Sequence, residues 1–316
     1  MAHRAQVGPR VGPTVIRATG SASASMAGFT DFDERSPPRS RVLGVQTQTH
    51  ELTFAGAEVR KRFVSWDRGE AEREWACLRL LADHAPGVAP RPLRREIVDG
   101  APVVVMERLP GRPLGDGPLT PAQTASLGHA LRSLYDVPLA AVHAAGIGER
   151  PYGITTHAAT VGEWLADSYD LAACQDPALV GDAVDRALAW LGTPGALPEA
   201  RVRVLGIADL NPANVVWDGE RCRLVDFEDG GLSDPAYEVA DHVEHLAGRL
   251  TGVYDVEGLV EAVGLDRDDR ARFVAWRPLW AAFWLAMLLP GNGGWRRNPA
   301  GTTERQARHL LELLDT

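Results

Sequence analysis

Residues 207–228 read IADLNPANVVWDGERCRLVDFE. The stretch places Asp209 five residues before Asn214, and Asp226 twelve residues after Asn214, with a predicted turn at Asp218 and Gly219 between two apolar runs. The hairpin that this pattern predicts would bring the three polar side chains together. Phosphoryl transfer needs such residue types: a carboxylate that orients the attacking hydroxyl, and an amide oxygen with a second carboxylate as magnesium ligands. The alternative interpretation is a set of loop residues that bond their own backbone, which is common for Asp and Asn.

The same stretch resembles the aminoglycoside phosphotransferase and choline kinase families, which share the protein-kinase fold. In these families a D-x-x-x-x-N catalytic loop is followed by a hairpin, a D-F-[DE] metal motif and a G-D-P-A-[YF]-[DE] run. This chain reads DLNPAN from Asp209, DFE from Asp226 and GLSDPAYE at residues 231–238. The resemblance implies that Asp209 is the catalytic base and that Asn214 and Asp226 bind Mg²⁺.

The chain departs from the family pattern at two loops. Ile207 and Ala208 stand where these families usually have His-Gly, and Asn211 and Ala213 replace a common His and Gly. The loop expected over the nucleotide phosphates falls near residues 46–50 and is poor in glycine, the residue that lets a backbone approach phosphate closely. Both departures favour a rival interpretation, a catalytically silent kinase-like protein that binds nucleotide.

Lys61 is the only lysine among the 33 basic residues of the chain. A planar arginine fork does not replace a compact ammonium at a phosphate, so a lone lysine on a predicted strand indicates such a contact. The family resemblance places a lysine on this strand, where it contacts the nucleotide phosphates and pairs with a helical glutamate. Glu74 matches that glutamate best, with Glu70 and Glu72 left open. A solvated surface lysine is the alternative.

A segment that resembles the family hinge follows the next predicted strand. Met106, Glu107 and Leu109 precede Pro110 and Gly111 there. The resemblance implies that adenine bonds to backbone groups of this segment, while an ordinary strand end is the alternative. These residues complete the predicted nucleotide site.

Hydrophobic periodicity divides the chain into two parts. Alternation in residues 43–64, a helical period in residues 70–84, and a strand pair centred on residues 95–98 and 103–108 predict a small β-rich lobe. Beyond residue 110 helical patterns dominate, interrupted once by a strand, loop, strand unit at residues 202–225. The predicted helices span residues 121–137, 161–168, 177–191, 234–250, 256–263, 266–289 and 302–314, and Pro278 is expected to kink or divide the sixth.

Together with the resemblance, these patterns predict an α+β, protein-kinase-like two-lobe fold. Residues 1–38 are predicted to be a disordered tail because they are rich in Gly, Ser, Ala and Pro. Residues 39–110 form the predicted nucleotide-binding N-lobe. Residues 111–316 form the predicted helical C-lobe, which holds the catalytic loop and the acceptor site.

Several polar and aromatic side chains of the helical lobe have two interpretations. Four acidic residues either attract a cationic acceptor or form a solvated helix surface: Asp229, Asp234, Glu238 and Asp241. Asp234 stands where a helix should begin, which predicts an N-cap. His242 and His245 are predicted to lie on a solvated helix face rather than at a metal. Three tryptophans at four-residue spacing favour core packing, with an acceptor-pocket wall as the alternative: Trp276, Trp280 and Trp284.

Composition excludes some classes of function. The formal net charge of −9 and a pI near 5.5 argue against a nucleic-acid partner and suit a cationic substrate better. Three cysteines without CxxC spacing suggest neither a disulfide framework nor a zinc site, so a reducing cytoplasm is the simplest location. No apolar run approaches the roughly 18 residues that a membrane-spanning helix needs, so no membrane partner is expected.

The function predicted from the sequence is that of a small-molecule kinase. It would use Mg²⁺ and transfer the γ-phosphoryl group of ATP, with GTP left open, to a hydroxyl of a small acceptor such as an aminoglycoside or a related antibiotic. A metabolite such as choline, homoserine or a sugar is the alternative acceptor. The sequence does not distinguish among these acceptors, because relatives of one fold handle all of them.

Overall fold

The computed structural model describes residues 50–115 and 117–316, and it begins with a four-stranded antiparallel sheet. The strands, and the helix between the second and third of them, are β1 Glu51–Ala55, β2 Glu58–Arg62, α1 Glu70–His84, β3 Pro92–Val98 and β4 Ala101–Glu107. The strand order in the sheet is β1-β2-β4-β3, which places Lys61 of β2 opposite Val104 of β4. The predicted tail, the start of the predicted N-lobe and residues 46–49 of the predicted phosphate loop lie outside the described residues.

Helix α1 has the bounds that its apolar period predicted, and it packs against β3 and β4. Cys77, Leu78 and Leu81 are buried in this contact. Glu74 is also fully buried, with a relative exposure of 0%. Because an isolated buried carboxylate is costly, Glu74 requires a cationic partner from the sheet.

Two small sheets follow the N-terminal sheet and hold the polar motif between them. Strand β5 Arg112–Pro113 pairs with β7 Val215–Trp217, and β7 pairs with β8 Cys222–Leu224. Strand β6 Val204–Gly206 pairs with β9 Gly231–Ser233. The unit predicted at residues 202–225 is therefore divided between the two sheets. Since β6 precedes the predicted catalytic loop and β9 follows the predicted metal motif, both ends of the motif are anchored.

Eleven helices, counting α1, occur in the described part of the chain. The other ten are α2 Pro121–Tyr135, α3 Leu139–Ala144, α4 His157–Leu165, α5 Pro177–Leu191, α6 Pro235–Glu244, α7 Leu246–Thr251, α8 Val256–Val263, α9 Arg267–Met287, α10 Gly293–Arg297 and α11 Thr302–Leu314. Helices α5, α8 and α11 have the bounds or nearly the bounds predicted for them. Helix α9 runs through Pro278 without division. Val274, whose carbonyl has no amide partner at Pro278, is 55% exposed and can be hydrated.

The prediction of a single helix over residues 234–250 is wrong, because the structure has two helices that meet at His245. Helix α6 ends at Glu244, His245 adopts φ −54° and ψ 121°, and α7 begins at Leu246. An extended backbone at one residue ends the helical hydrogen-bond pattern, so α7 leaves α6 in a new direction. The predicted N-cap is confirmed: Asp234 Oδ1 accepts hydrogen bonds from the amides of Ala236 (2.9 Å) and Tyr237 (3.2 Å).

The solvated face predicted for this helix is also wrong, because α6 is buried along its whole length. Arg150 donates to Glu238 (2.5 Å) and to Asp241 (2.6 Å), and Arg272 donates to Asp234 (2.6 Å). These acidic side chains neutralise buried arginines, so they do not attract a cationic acceptor. The buried histidines of this segment are His242 and His245.

Aromatic residues form much of the core beside α6. Trp276 and Trp280 are almost completely buried, which confirms core packing for these two tryptophans. Trp284 is only partly buried, and its ring contacts the ring of His245. No helix in residues 50–115 and 117–316 has the length and apolar character needed to cross a membrane.

Candidate active site

The loop after β6 presents Asp209 to solvent while one carboxylate oxygen is held. The side chain of Asp209 is 50% exposed, and its Oδ1 accepts a hydrogen bond from the amide of Asn211 (3.0 Å). His245 Nε2 lies 3.0 Å from the same oxygen. No hydrogen bond within the described residues reaches Oδ2. Asp209 therefore has one anchored oxygen and one oxygen that is free to accept a proton.

The backbone in front of Asp209 is in an unfavourable conformation. Ala208 has φ +69°, in the left-handed region that non-glycine residues seldom occupy. Its amide donates to the buried carboxylate of Glu238 (3.1 Å), which also accepts from Arg150. This contact holds the loop against α6, and such strained positions occur mainly where the surrounding structure enforces them.

Asn214 and Asp226 are brought side by side by the β7–β8 hairpin. The Asn214 side-chain amide donates to the Asp209 backbone carbonyl (3.0 Å), and the backbone carbonyl of Asn214 accepts from the amide of Val225 (2.9 Å). The first contact turns the Asn214 side chain so that its amide oxygen is left for another partner. Asp226 directly follows Val225 and has φ +74°. The three motif residues therefore share one surface, as the hairpin pattern predicted, while their roles remain predictions.

Lys61 crosses from β2 to this surface and is surrounded by carboxylates. Its Nζ lies 3.0 Å from Glu74 Oε2 and 2.7 Å from Glu228 Oε2, and it also contacts Asp226 Oδ1. Lys61 is only 5% exposed, so the solvated-lysine alternative is wrong. Burial opposes its charge, but the three carboxylates more than compensate and raise the pKa of Lys61.

Among the three glutamates considered for Lys61, the structure brings Glu74 to it. Glu70 instead accepts from the backbone amide and the Nε of Arg68, both at 2.9 Å, and Glu72 is exposed. Glu72, two residues before Glu74, points away from it, whereas Glu70 lies on the same face one turn earlier and is held there by Arg68. A buried ion pair therefore joins α1 to β2.

The carboxylates around Lys61 form a group suited to a divalent cation. One oxygen each from Glu74, Asp226 and Glu228 lies within 4.8 Å of the others. Burial raises the pKa of Glu74 and of Asp226, whereas contacts with His50 and Lys61 overcome burial and lower the pKa of Glu228 to about 2. One ammonium cannot neutralise three carboxylates. Carboxylate oxygens are among the ligands that Mg²⁺ prefers, so this set fits the ion.

Two histidines reach the site in ways that the sequence did not predict: His50 was expected at the end of the phosphate loop, and His245 on a solvated helix face. His50 Nε2 lies 2.7 Å from Glu228 Oε2, and its Nδ1 accepts from the amide of Val64 (3.2 Å). His245 contacts Asp209, although the two residues are far apart in the sequence. Glu228 was part of the quoted motif, but neither histidine follows from a local pattern, because each reaches the site from a distant element.

The predicted hinge residues lie at the end of β4. Met106 is buried, and Glu107 and Leu109 are half-buried. The Glu107 amide donates to the Arg91 carbonyl (2.9 Å), but within the described residues no hydrogen bond reaches the Glu107 carbonyl or comes from the Leu109 amide. One acceptor and one donor of the backbone are thus available to a planar ligand with complementary groups.

The fold has two lobes, and the sheet of the first lobe carries a buried lysine. The second lobe carries an aspartate on a loop, with an asparagine and a carboxylate suited to metal binding on the adjacent hairpin. This combination defines a phosphotransferase of the kinase-like class. The family model described as "Phosphotransferase enzyme family" matches residues 48–291, and the chain belongs to this family. The predicted family resemblance, the α+β kinase-like fold and the phosphotransferase class are confirmed.

Similar proteins include antibiotic and choline kinases. Viomycin phosphotransferase from Streptomyces vinaceus is 29% identical over 203 residues, which cover 56% of this chain and 69% of that protein. A choline/ethanolamine kinase family protein from Mesorhizobium loti has a TM-score of 0.57, with 19% identity over 89% of each chain. Spectinomycin phosphotransferase in complex with ADP and spectinomycin has a TM-score of 0.56, with 13% identity over 86% of this chain and 91% of that chain. The two structural similarities show the fold.

Proposed function

We propose that this phosphotransferase transfers the γ-phosphoryl group of ATP, or of GTP, to a hydroxyl group of an aminoglycoside or related antibiotic. The single observation that carries the proposal is the shared surface of Asp209, Asn214, Asp226 and Lys61 described above. The similarity to viomycin phosphotransferase supports an antibiotic acceptor rather than a choline-type metabolite, because it includes sequence as well as fold.

The nucleotide is proposed to bind in the cleft between the N-lobe and the C-lobe. The free Glu107 carbonyl and Leu109 amide would bond the edge of the purine, and Met106 would contact its face. Lys61 would contact the phosphates, held in place by Glu74. Its compact ammonium would then exchange its contact with Asp226 for a phosphate oxygen, which leaves Asp226 free for metal.

Asn214 and Asp226 are the proposed magnesium ligands. Bound Mg²⁺ supplies charge compensation for the phosphate oxygens. Asp226 has a left-handed backbone and its side chain contacts Lys61, and the Asn214 side chain is held by its contact with the Asp209 carbonyl. Glu228 stays with His50 and Lys61 in this arrangement, because its Oε2 lies 2.7 Å from both His50 Nε2 and Lys61 Nζ.

Asp209 is the proposed catalytic base. Its Oδ2 accepts the proton of the acceptor hydroxyl, while Oδ1 remains bonded to the Asn211 amide and close to His245. Desolvation by the surrounding protein would by itself raise the pKa of the half-exposed Asp209, but the charge and hydrogen bond of His245 and the Asn211 amide lower it. Asp209 is therefore ionised at neutral pH and can orient the attacking oxygen.

The acceptor side of the site favours a cation. The Asp209 side chain is 50% exposed, whereas the side chains of Glu228 and Asp229 are only 14% and 23% exposed. Asp234, Glu238 and Asp241 are buried against arginine, and Asp229 lies 3.8 Å from Arg68 and 3.6 Å from Arg73. Asp209 is therefore the carboxylate that we propose attracts a cationic acceptor. Trp284, beside His245, is the tryptophan placed to contact an acceptor.

The test is acceptor-dependent ADP release with Mg-ATP and Mg-GTP against viomycin, spectinomycin, hygromycin B, choline and ethanolamine. We expect one of the antibiotics to stimulate release, and Asp209→Asn to lower kcat by about 10²–10⁴-fold. Asp218→Asn is the matched control, because Asp218 lies on the same hairpin and its contacts stay within that hairpin: the amides of Glu220 (2.9 Å) and Arg221 (2.8 Å) and the guanidinium of Arg223 (3.1 Å). EDTA should abolish release in the parent chain.

Three outcomes contradict parts of the proposal. Equal release by the parent and Asp209→Asn would remove Asp209 as the base. Stimulation by choline or ethanolamine alone would replace the antibiotic acceptor with a metabolite. Nucleotide binding with no release in any mixture would support the catalytically silent alternative.

A further inference from the structure

His245 reaches the proposed catalytic base from a part of the chain that lies outside every motif of the site. The loop at residues 207–214 contains no histidine of its own. His245 lies at the break between α6 and α7, and its Nε2 is 3.0 Å from Asp209 Oδ1. The break itself is what allows this contact, because the extended backbone at His245 departs from the helical path of α6.

The imidazole of His245 is held on several sides. The residue is 7% exposed, and its ring meets the ring of Trp284 edge-on, with centroids 4.9 Å apart at 77°. Its carbonyl accepts from the amide of Arg249 (3.0 Å), which ties His245 to the first turn of α7. A side chain with so little freedom can fix the orientation of whatever it bonds.

The charge around His245 also favours a hydrogen bond to Asp209. Burial alone would lower the pKa of His245, but Asp209, through charge and a hydrogen bond, and Asp241 together raise it. The Nδ1 atom is buried and has no partner among the described residues. The proton of the pair is therefore best placed on Nε2, between His245 and Asp209.

We propose that His245 is a positioning residue for Asp209. Its Nε2–H and the Asn211 amide donate to Oδ1 from two directions, which fixes the carboxylate plane and leaves Oδ2 toward the acceptor hydroxyl. His245 does not touch the acceptor or the phosphates in this role. The inference rests on the proposed function, since it assigns to His245 the orientation of that function's base.

The test compares two variants of His245 whose side chains both end in an amide but differ in length. His245→Gln places an amide nitrogen near the position of Nε2, whereas His245→Asn ends one methylene short of Asp209. For an acceptor that the parent phosphorylates, we expect His245→Asn to lower kcat by about 10–100-fold, with the KM for ATP unchanged within about twofold. His245→Gln should retain most of the parent kcat.

His242→Gln is the matched control, because His242 is a buried histidine of α6, just before the break, and its Nε2 lies near Tyr135 (3.4 Å) and Glu238 (3.9 Å) instead of Asp209. We expect it to change the thermal midpoint but not kcat. In the Asp209→Asn background, His245→Asn should cost no further kcat, because the group through which it acts has been neutralised.

Each other outcome has a distinct meaning. Equal kcat in His245→Asn and the parent would overturn the inference while leaving the kinase proposal intact. Equal losses in His245→Gln and His245→Asn, repeated in the Asp209→Asn background, would assign His245 to packing alone and also overturn it. Failure of the parent to phosphorylate any acceptor would overturn the proposed function, and this inference with it.

Discussion

Lys61 sets the charge balance of the site at the scale of single residues. Its neighbours Glu74, Asp226 and Glu228 converge on one ammonium with little exposure to water. A pair of buried opposite charges gains little over a well-packed apolar pair, but removal of one partner leaves the other uncompensated. Lys61 is therefore important to stability as well as to the proposed phosphate contact.

We predict that Lys61→Met lowers the free energy of unfolding by about 3–5 kcal/mol, because it leaves Glu74 buried without a cation. Lys61→Met combined with Glu74→Leu should recover much of this loss. Arg62→Met on the same strand is the control, since Arg62 pairs with the exposed Glu51 (3.0 Å) and such pairs contribute about 0–1 kcal/mol. Urea unfolding of the four chains measures these differences, and similar losses in Lys61→Met and Arg62→Met would refute the buried role.

At the scale of elements, the polar hairpin is fastened to the segment that leaves the N-terminal sheet. Gly111 has φ +105°, and a Cβ at this position would lie 2.2 Å from the Trp217 carbonyl oxygen of β7. Strand β5 begins at the next residue and pairs with β7. A glycine is therefore required at the point where the predicted hinge meets the hairpin, for both its backbone conformation and its lack of a side chain.

Gly111→Ala should lower the free energy of unfolding by about 2–4 kcal/mol, which combines a backbone clash with left-handed strain. Gly100→Ala separates the two effects, because Gly100 has φ +78° but nothing within 4 Å of its added Cβ. We expect this control to cost about 1 kcal/mol. The pair should be compared by denaturant titration. If both variants lose the same free energy of unfolding, the close packing of Gly111 on β7 makes no contribution to stability.

At the scale of the whole molecule, α6 is the central buried element of the helical part. It carries the carboxylate that holds the Asp209 loop, and at its end Glu244 joins two further helices. Glu244 accepts from Arg277 of α9 (2.7 Å) and lies 2.6 Å from His309 of α11. Glu244 is fully buried, so this contact between three helices is shielded from solvent.

The Glu244 contact predicts a dependence of stability on pH. Burial alone would raise the pKa of Glu244, but His309 and Arg277 lower it below its ordinary value of 4.5. A lowered pKa in the folded state means that the contact stabilises fully above about pH 4.5 and that its contribution falls as pH drops through the folded-state value. Glu244→Gln should be less stable than the parent at pH 7, with a smaller further loss between about pH 5 and pH 3. Urea unfolding at three pH values gives the dependence of the unfolding free energy on pH for the parent and for Glu244→Gln. Equal dependences in the two chains would exclude Glu244 as a source of the pH effect.

Much of the local structure could be predicted from the sequence. The bounds of α1, α5, α8 and α11 follow from apolar period, helix-starting residues and helix-ending residues, all of which act within a few residues. The grouping of Asp209, Asn214 and Asp226 follows from a hairpin, which is also local. Glu74 follows from the family resemblance and not from the local pattern, which leaves Glu70 and Glu72 open.

The rest depended on contacts between distant parts of the chain. Lys61 and Asp226 are 165 residues apart in sequence, and His245 reaches Asp209 only because α6 is interrupted. The charged pattern of residues 234–245 is the same on a solvated helix and on a buried helix whose carboxylates meet arginines. The sequence by itself therefore determined the family, the elements and the motif, because these arise from local order. Only the tertiary structure decided which charges are buried, since burial is a property of what packs around a residue.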